Sequence, residues 1–129
     1  MEIIRNMVTW FEIPVENMER AISFYETVFN VKLTRYTSGP AQIAAFPLIE
    51  KVPGSPGSLV LSPNFGSPSS NSTLMYFNAG SGDLQNELSR VEAAGGKILQ
   101  EKTLITKENG YMAVMLDSEG NRIGLHSFV

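Results

Sequence analysis

The sequence predicts an α+β fold in which one β-α-β-β-β module occurs twice. In each half, a strand-like run precedes an amphipathic helical pattern, and three more strand-like runs follow it. Residues 63–71 separate the halves, because they are rich in Ser, Pro, Gly and Asn and show no periodicity. Segments 57–62 and 121–126 resemble one another, as an internal duplication would. We therefore predict a single domain at 1–129, with module one at 1–63, a linker at 63–71 and module two at 72–129.

The first module begins with a predicted strand over residues 8–13. Trp10 and Glu12 share one face of this strand, because successive side chains of a strand point to opposite sides. Asn17 is a good helix cap, and the apolar stripe that follows it predicts a helix up to Asn30. Three further strands are predicted at 31–36, 42–49 and 58–62.

The second module repeats this order. A strand is predicted at 73–78, and a helix at 82–94 is stopped by Gly95 and Gly96. Three strands follow, at 97–103, 111–116 and 121–127.

The closing segment, residues 116–126, is predicted to be a strand, a tight turn and a strand. Residues 117–120 have turn chemistry, because Gly120 can adopt the positive φ that a side chain resists. After the turn, Gly124 and His126 share one face, and the aliphatic residues beside them share the other. We expect the aliphatic face to join the core and the other face to be open to chemistry.

Composition and charge exclude several classes of function. The net charge is −3, and the sequence has no cluster of lysine or arginine that could form a basic patch. Nucleic acids and anionic lipids bind to such patches, so we expect neither as a partner. The absence of cysteine excludes disulfides, thiolate metal sites and a cysteine nucleophile. The start, Met1 to Asn6, lacks the apolar run of a signal peptide, and no segment approaches the roughly 20 apolar residues that span a bilayer. We therefore expect a cytoplasmic protein.

Three local patterns occur in a characteristic order and spacing. They are Ile13–Glu26 followed by Val28 and Phe29, Val91–Lys97, and Asp117–Leu125 with its D-x-x-G-N-x-I-x-L pattern. In these patterns the chain resembles the vicinal oxygen chelate superfamily, which contains glyoxalase I, bleomycin-resistance proteins and extradiol dioxygenases. The resemblance covers nearly the whole chain. It implies paired modules whose strands form a concave, curled sheet around a cleft, usually within a homodimer.

The resemblance also bears on metal binding. Metal-dependent members of the superfamily place one His or Glu ligand in the middle of the first and fourth strands of each module. Carried over by position, these four sites fall on Trp10, Val60, Thr73 and Gly124. None of them is a normal ligand for a divalent metal, because indole offers no lone pair, Val and Gly carry no polar side chain, and a lone hydroxyl binds weakly. We therefore expect no metal and no other cofactor, with a divalent metal as the alternative.

Two titratable residues are candidates for acid–base chemistry in the cleft. His126, the only histidine, and Glu12 both face the cleft by strand alternation, where an imidazole and a carboxylate could move a proton. The alternatives are a hydrogen-bonded histidine without a chemical role, and a Glu12 that is solvated or paired with Arg122 or Lys32. The two residues could also hold a displaced metal, but a usable site needs about three protein ligands.

Aromatic and apolar side chains on the predicted inner face would suit a small organic ligand. The candidate ligand-binding residues are Trp10, Tyr36, Ser58, Val60, Thr73, Met75, Phe77, Tyr111, Met115 and Gly124. The alternative is that these side chains fill a core. A cleft is favoured, because the opposite strand faces already supply aliphatic residues for the helices.

The leading hypothesis for function is a metal-independent, glyoxalase/bleomycin-resistance-like protein that binds a small organic molecule, which Glu12 and His126 orient or protonate. The alternative is a lyase or isomerase of the glyoxalase class, in which a metal or the same two residues stabilise an enediolate. A third hypothesis is an interaction module whose only function is to form a dimer. The fold does not decide among them, because function depends on the site.

Overall fold

The order of helices and strands matches the expected double module. A computed structural model describes residues 5–129; residues 1–4, which belong to the opening stretch without a predicted signal peptide, lie outside the described residues. The first module comprises β1 (Phe11–Pro14), α1 (Met18–Phe29), β2 (Thr34–Ser38), β3 (Ala41–Ala45) and β4 (Gly57–Leu61). The second comprises β5 (Met75–Asn78), α2 (Leu84–Val91), β6 (Lys97–Thr106), β7 (Gly110–Leu116) and β8 (Arg122–Ser127). The predicted α+β class is confirmed.

Each module forms a four-stranded sheet with the same topology. The strand order is β1-β4-β3-β2 in the first sheet and β5-β8-β7-β6 in the second. The first strand of each module runs parallel to the fourth, and the other pairs are antiparallel. β1 and β5 are therefore corresponding edge strands, each hydrogen-bonded on one side within the part of the chain that the structure describes.

The two sheets and the two helices enclose one shared hydrophobic core. α1 packs against β3, β4 and α2, and α2 packs against β6, β7 and β8. Buried side chains from both modules form a single cluster, so the modules do not have separate cores. Below, the face of each sheet opposite the helices is called the open face.

Local signals set the ends of α1. The side chain of Asn17 caps the helix by accepting a hydrogen bond from Arg20 N at 3.1 Å. Asn30 ends it in the left-handed conformation at φ 54°, which Asn tolerates better than most residues. Neither helix in residues 5–129 is long and apolar enough to cross a membrane.

The turn between β7 and β8 holds the two modules together through Asp117. Its carboxylate accepts a hydrogen bond from the buried Tyr25 hydroxyl of α1 at 2.6 Å. It also accepts bonds from Glu119 N at 2.8 Å and from Asn121 N at 2.9 Å. The Asn121 amide donates to Pro14 O at 2.8 Å, which ties the same turn to β1. The turn pattern of the sequence therefore has a structural role between modules.

Glu119 adds a second connection, at the N-terminus of α1. Its carboxylate accepts bonds from Glu16 N and Asn17 N, both at 2.8 Å, and from Arg20 Nε at 2.6 Å. The side chain of Glu119 is fully buried, whereas that of Arg20 is half exposed. Burial alone would raise the pKa of Glu119, but these donors outweigh it and lower the pKa to about 2. A carboxylate at a helix N-terminus is also stabilised by the helix dipole.

We expect Glu119→Gln to lower the free energy of unfolding by about 2–3 kcal/mol at neutral pH, because it removes this carboxylate from its donors. The folded pKa of about 2 lies below the ordinary 4.5. The stabilisation is therefore complete above pH 4.5 and is lost as the pH falls towards 2. Urea unfolding at a series of pH values should show wild type and variant converging over that range.

Glu108→Gln is the matched control, because the Glu108 side chain is exposed and makes no hydrogen bond or ion pair to any described residue. We expect it to leave stability unchanged within about 0.5 kcal/mol. A constant difference between wild type and Glu119→Gln from pH 7 to pH 2 would contradict the proposed origin of the stabilisation.

Candidate functional site

The strand register shows which side chains reach the open face of the first sheet. Glu12 pairs with Ser58, and Tyr36 pairs with Ile43, which in turn pairs with Val60. Paired residues share a face. The predicted common face of Glu12, Ser58, Val60 and Tyr36 is therefore confirmed. Trp10 lies just before β1 and is 41% exposed.

In the second sheet, Tyr76 pairs with Gly124 and Asn78 pairs with His126. The predicted common face of Gly124 and His126 is confirmed, because β8 alternates as expected. Val114 and Met112 occupy the same open face from β7. Tyr76 also lies on this face and was not predicted from the sequence, because the residues of β5 do not by themselves show which of its faces is open.

Four predicted positions in the second module are wrong. Met75 and Phe77 pair with Ile123 and Leu125 and so face the helices, as do Tyr111 and Met115. Met115 is fully buried in the core. The error arises because each strand can be assigned to either face from its own residues, and only the pairing with β8 decides between them. Thr73 precedes β5 and belongs to no strand.

The residues at the superfamily's metal positions do not fit a metal. Val60 offers no ligand atom, and Gly124 lies beneath the ring of Tyr76. A Cβ atom at Gly124 would lie 2.6 Å from Tyr76 Cδ1, so the aromatic ring occupies the space that a ligand side chain would need. Among residues 5–129, no three His, Cys, Asp or Glu side chains are grouped so that they could hold a metal ion.

The close packing of Tyr76 on Gly124 predicts that Gly124→Ala costs about 1–3 kcal/mol of stability, because the ring has to move. In a Tyr76→Ala background the same substitution should be nearly neutral. A double-mutant cycle measured by urea unfolding tests this coupling. Gly66→Ala is the control, since a Cβ there meets nothing within 4 Å. Equal costs in both backgrounds would contradict the packing argument.

The two acid–base candidates lie on different sheets. Glu12 is exposed on β1, and its side chain makes no hydrogen bond or ion pair with any described residue. His126 Nε2 lies 2.6 Å from Asn109 O, and the imidazole packs edge-on against Phe128 at 4.8 Å. Within one chain, no hydrogen bond joins Glu12 to His126 in the described residues.

A cleft of about 450 Å³ lies between the two modules. Its first-module side comes from β1, from the end of α1 and from the loop after β3, and its second-module side comes from β5. Its apolar lining comprises Val8, Phe11, Phe29, Val31, Phe46, Pro47, Ile49, Pro56, Met75 and Phe77. Tyr76, Asn78, Ser55, Gly54 and Gly80 complete it.

Aromatic rings form one wall of this cleft, and Phe77 is central to them. Its ring centroid lies 5.0 Å from that of Phe29 and 5.4 Å from that of Phe11. Phe46 packs edge-on against it at 5.3 Å. The predicted ligand-binding residues Met75 and Phe77 therefore line a cleft, although they lie on the helix side of their sheet and not on its open face.

Comparisons with known proteins agree with this fold. The family model described as Glyoxalase/Bleomycin resistance protein/Dioxygenase superfamily matches residues 7–125. No curated protein matches the chain in sequence at a significant level.

Three solved structures illustrate the similarity. Glyoxalase I from Zea mays is 21% identical with a TM-score of 0.71, over 92% of this chain and 45% of that one. This chain therefore spans less than half the length of the maize protein. A glyoxalase/bleomycin resistance protein from Albidiferax ferrireducens is 16% identical with a TM-score of 0.66, over 93% and 98% of the two chains. An antibiotic binding protein from a Streptomyces species is 22% identical with a TM-score of 0.63, over 98% of each chain. At these identities, the similarity concerns the fold.

Proposed function

Because the chain belongs to the glyoxalase/bleomycin resistance protein/dioxygenase superfamily, we propose that it binds a small, mainly apolar organic molecule without a bound metal. The observation that carries this proposal is the aromatic cleft of about 450 Å³ between the modules. Clefts of roughly 300–1,000 Å³ with apolar walls and a few polar groups are typical of small-molecule sites.

The composition of the cleft favours a particular kind of ligand. Phe11, Phe29, Phe46 and Phe77 offer ring faces and edges, which suit an aromatic or polycyclic body. Met75 adds a polarizable side chain that adapts to irregular shapes. Charged side chains are absent from the lining in the described part of the chain, so a neutral ligand fits best.

Fluorescence of the neutral dye N-phenylnaphthylamine tests the proposal. We expect saturable binding by the wild type, with parallel quenching of the single tryptophan, Trp10, which is adjacent in sequence to Phe11. Val31→Trp places a large side chain in the cleft and should weaken binding at least about tenfold.

Val52→Trp is the matched control, because Val52 is 52% exposed and lies outside this cleft. Melting curves of both variants establish that they fold. Equal dye affinities of the two folded variants, or the absence of saturable binding by the wild type, would refute the proposed site.

Metal content is tested separately. Protein purified without a metal-affinity tag should contain no stoichiometric metal, and added Zn²⁺, Ni²⁺, Mn²⁺ or Fe²⁺ should not raise its melting temperature specifically. A stoichiometric ion would favour the glyoxalase-type lyase or isomerase instead. Glu12 and His126 support that alternative weakly, because they lie on different sheets of one chain.

We also propose a homodimer. The edges of β1 and β5 lack a hydrogen-bonded neighbour among the described residues, and an unpaired edge can receive a second chain. Light scattering coupled to size exclusion should give the mass of two chains, and a concentration-independent monomer mass would contradict it.

A further inference from the structure

Asn109 is the only asparagine of the sequence that is followed by glycine. In such a pair, the backbone nitrogen of glycine can attack the side-chain carbon Cγ of asparagine, because glycine carries no side chain to hinder the approach. The attack closes a succinimide ring and releases ammonia. Water then opens the ring on either side and leaves aspartate or isoaspartate, so that overall an amide and water become an acid and ammonia. The sequence therefore marks Asn109 and Gly110 as a reactive pair.

The fold requires glycine at this position. Residues 107–109 form the turn between β6 and β7, and Gly110 follows with a φ of 79°. A Cβ atom at Gly110 would lie 2.4 Å from Ser127 O, so no other residue fits. The side chain of Asn109 is exposed and makes no hydrogen bond to any described residue, which leaves its amide open to water. The reactive pair is thus built into the hairpin.

The backbone of Asn109 is held on both sides. Its N–H donates to Thr106 Oγ1 at 3.0 Å, and its carbonyl oxygen lies 2.6 Å from His126 Nε2. A carbonyl oxygen only accepts, so Nε2 carries the hydrogen in this contact. Thr106 also pairs with Gly110 in the last pair of the hairpin, next to a shift of register. The end of the hairpin therefore depends on few contacts, and His126 supplies one of them from β8.

These contacts oppose ring closure. A five-membered ring requires the Gly110 nitrogen to lie nearly eclipsed with the Asn109 Cβ atom, and this value of ψ falls outside the main allowed regions. The peptide between the two residues is planar, so its oxygen and its nitrogen turn together. A rotation that brings the nitrogen towards Cγ therefore moves the oxygen away from His126 Nε2. The hydrogen bond from His126 has to break before the ring can form.

We propose that Asn109 is a site of spontaneous deamidation and that His126 sets its rate by holding the Asn109 carbonyl. Water is the only co-reactant. The isoaspartate product carries one extra backbone carbon before Gly110, where the chain already packs closely against Ser127 O. We therefore expect the modification to loosen the start of β7 and the end of β8, and to add one negative charge. This role of His126 as a positioning residue goes beyond the proposed function, because His126 does not line the cleft.

Peptide mapping by mass spectrometry follows the conversion at Asn109 while the purified protein is kept at physiological temperature and neutral pH. Isoaspartate is counted by enzymatic methylation, and ¹⁸O-labelled water establishes the source of the new oxygen. His126→Phe keeps a ring against Phe128 but lacks the donor, whereas His126→Gln keeps an N–H donor. Asn109→Gln is the negative control, because glutamine closes the corresponding ring much more slowly.

We expect wild type to convert Asn109 more slowly than the free peptide of residues 104–113 does. His126→Phe should convert it at least about threefold faster than wild type, because one hydrogen bond no longer opposes the rotation. His126→Gln should stay within about twofold of wild type. Conversion at Asn71, which precedes Ser72 in the segment between the modules, should be equal in all three proteins.

Glu119→Gln separates local from global opening, because Glu119 bonds the start of α1 and makes no contact with the hairpin end. It should leave the rate at Asn109 unchanged, since the hairpin end opens without global unfolding. Equal rates at Asn109 in folded wild type and folded His126→Phe would overturn the proposal. The absence of conversion in both, over a period in which the free peptide converts, would overturn it too. If His126→Phe does not fold, His126→Asn takes its place, because its amide is too short to reach the carbonyl.

Discussion

Asp117→Ala is expected to lower the free energy of unfolding by about 4 kcal/mol, because several buried donors lose their acceptor at once. The Tyr25 hydroxyl bonds Asp117 at 2.6 Å, and Asn121 donates to it through both its backbone N–H, at 2.9 Å, and its side-chain amide, at 3.1 Å. Burial, and then the neighbouring Asp117 carboxylate, raise the pKa of Tyr25 well above its usual range, so its hydroxyl remains a donor.

Urea unfolding at neutral pH measures this loss, and the melting temperature should fall by roughly 15 °C. Asp83→Ala is the matched control, because Asp83 caps α2 by accepting a bond from Gln85 N and also pairs with Lys102 at the surface. An ordinary cap of this kind contributes about 1 kcal/mol. Equal losses for the two variants would show that Asp117 acts as a simple turn residue and does not connect the modules.

Phe77→Ala is expected to cost about 3–5 kcal/mol, because it removes a ring that packs against Phe11, Phe29 and Phe46 at the boundary of the modules. Phe77→Leu retains most of the volume and should cost less than about 2 kcal/mol. The leucine variant should nevertheless bind N-phenylnaphthylamine more weakly than wild type, because the aromatic wall is interrupted.

Phe65→Ala is the control, since Phe65 is 37% exposed in the segment between the modules. We expect a loss of less than about 1 kcal/mol and unchanged dye binding. If the Phe77→Leu variant binds the dye as tightly as wild type, Phe77 is not part of the proposed site, whatever the effect of the substitution on stability.

Most of the fold could be predicted from local patterns. The cap at Asn17 and the end of α1 at Asn30 agree with the sequence prediction. The alternation of β8 places Gly124 and His126 on one face, also as expected. These features depend on neighbours within a few residues, so they can be read from the sequence directly.

The candidate site was predicted only in part. The four residues of β5, Met75 to Asn78, alternate between two faces, and each face carries a large apolar or aromatic side chain. Composition therefore does not show which residues of this strand point towards the helices. The pairing of Tyr76 with Gly124 decides it, and this places Met75 and Phe77 towards the helices.

The structural role of the turn at residues 117–121 also depends on tertiary structure. Its sequence predicted a turn, but Glu119 bonds backbone groups more than a hundred positions away. Asp117 similarly bonds Tyr25 across 92 positions. Such partners cannot be identified from spacing along the chain.

By itself, the sequence determined the α+β class, the repeated module and the lack of normal ligands at the superfamily's metal positions, because periodicity, caps and side-chain chemistry are local properties. Tertiary structure decided the rest. It brought the aromatic wall of the cleft together from both modules, laid Tyr76 over Gly124 and left Arg122 without a partner among the described residues. The reason is that these arrangements depend on strand register and module docking, which join residues far apart in the chain.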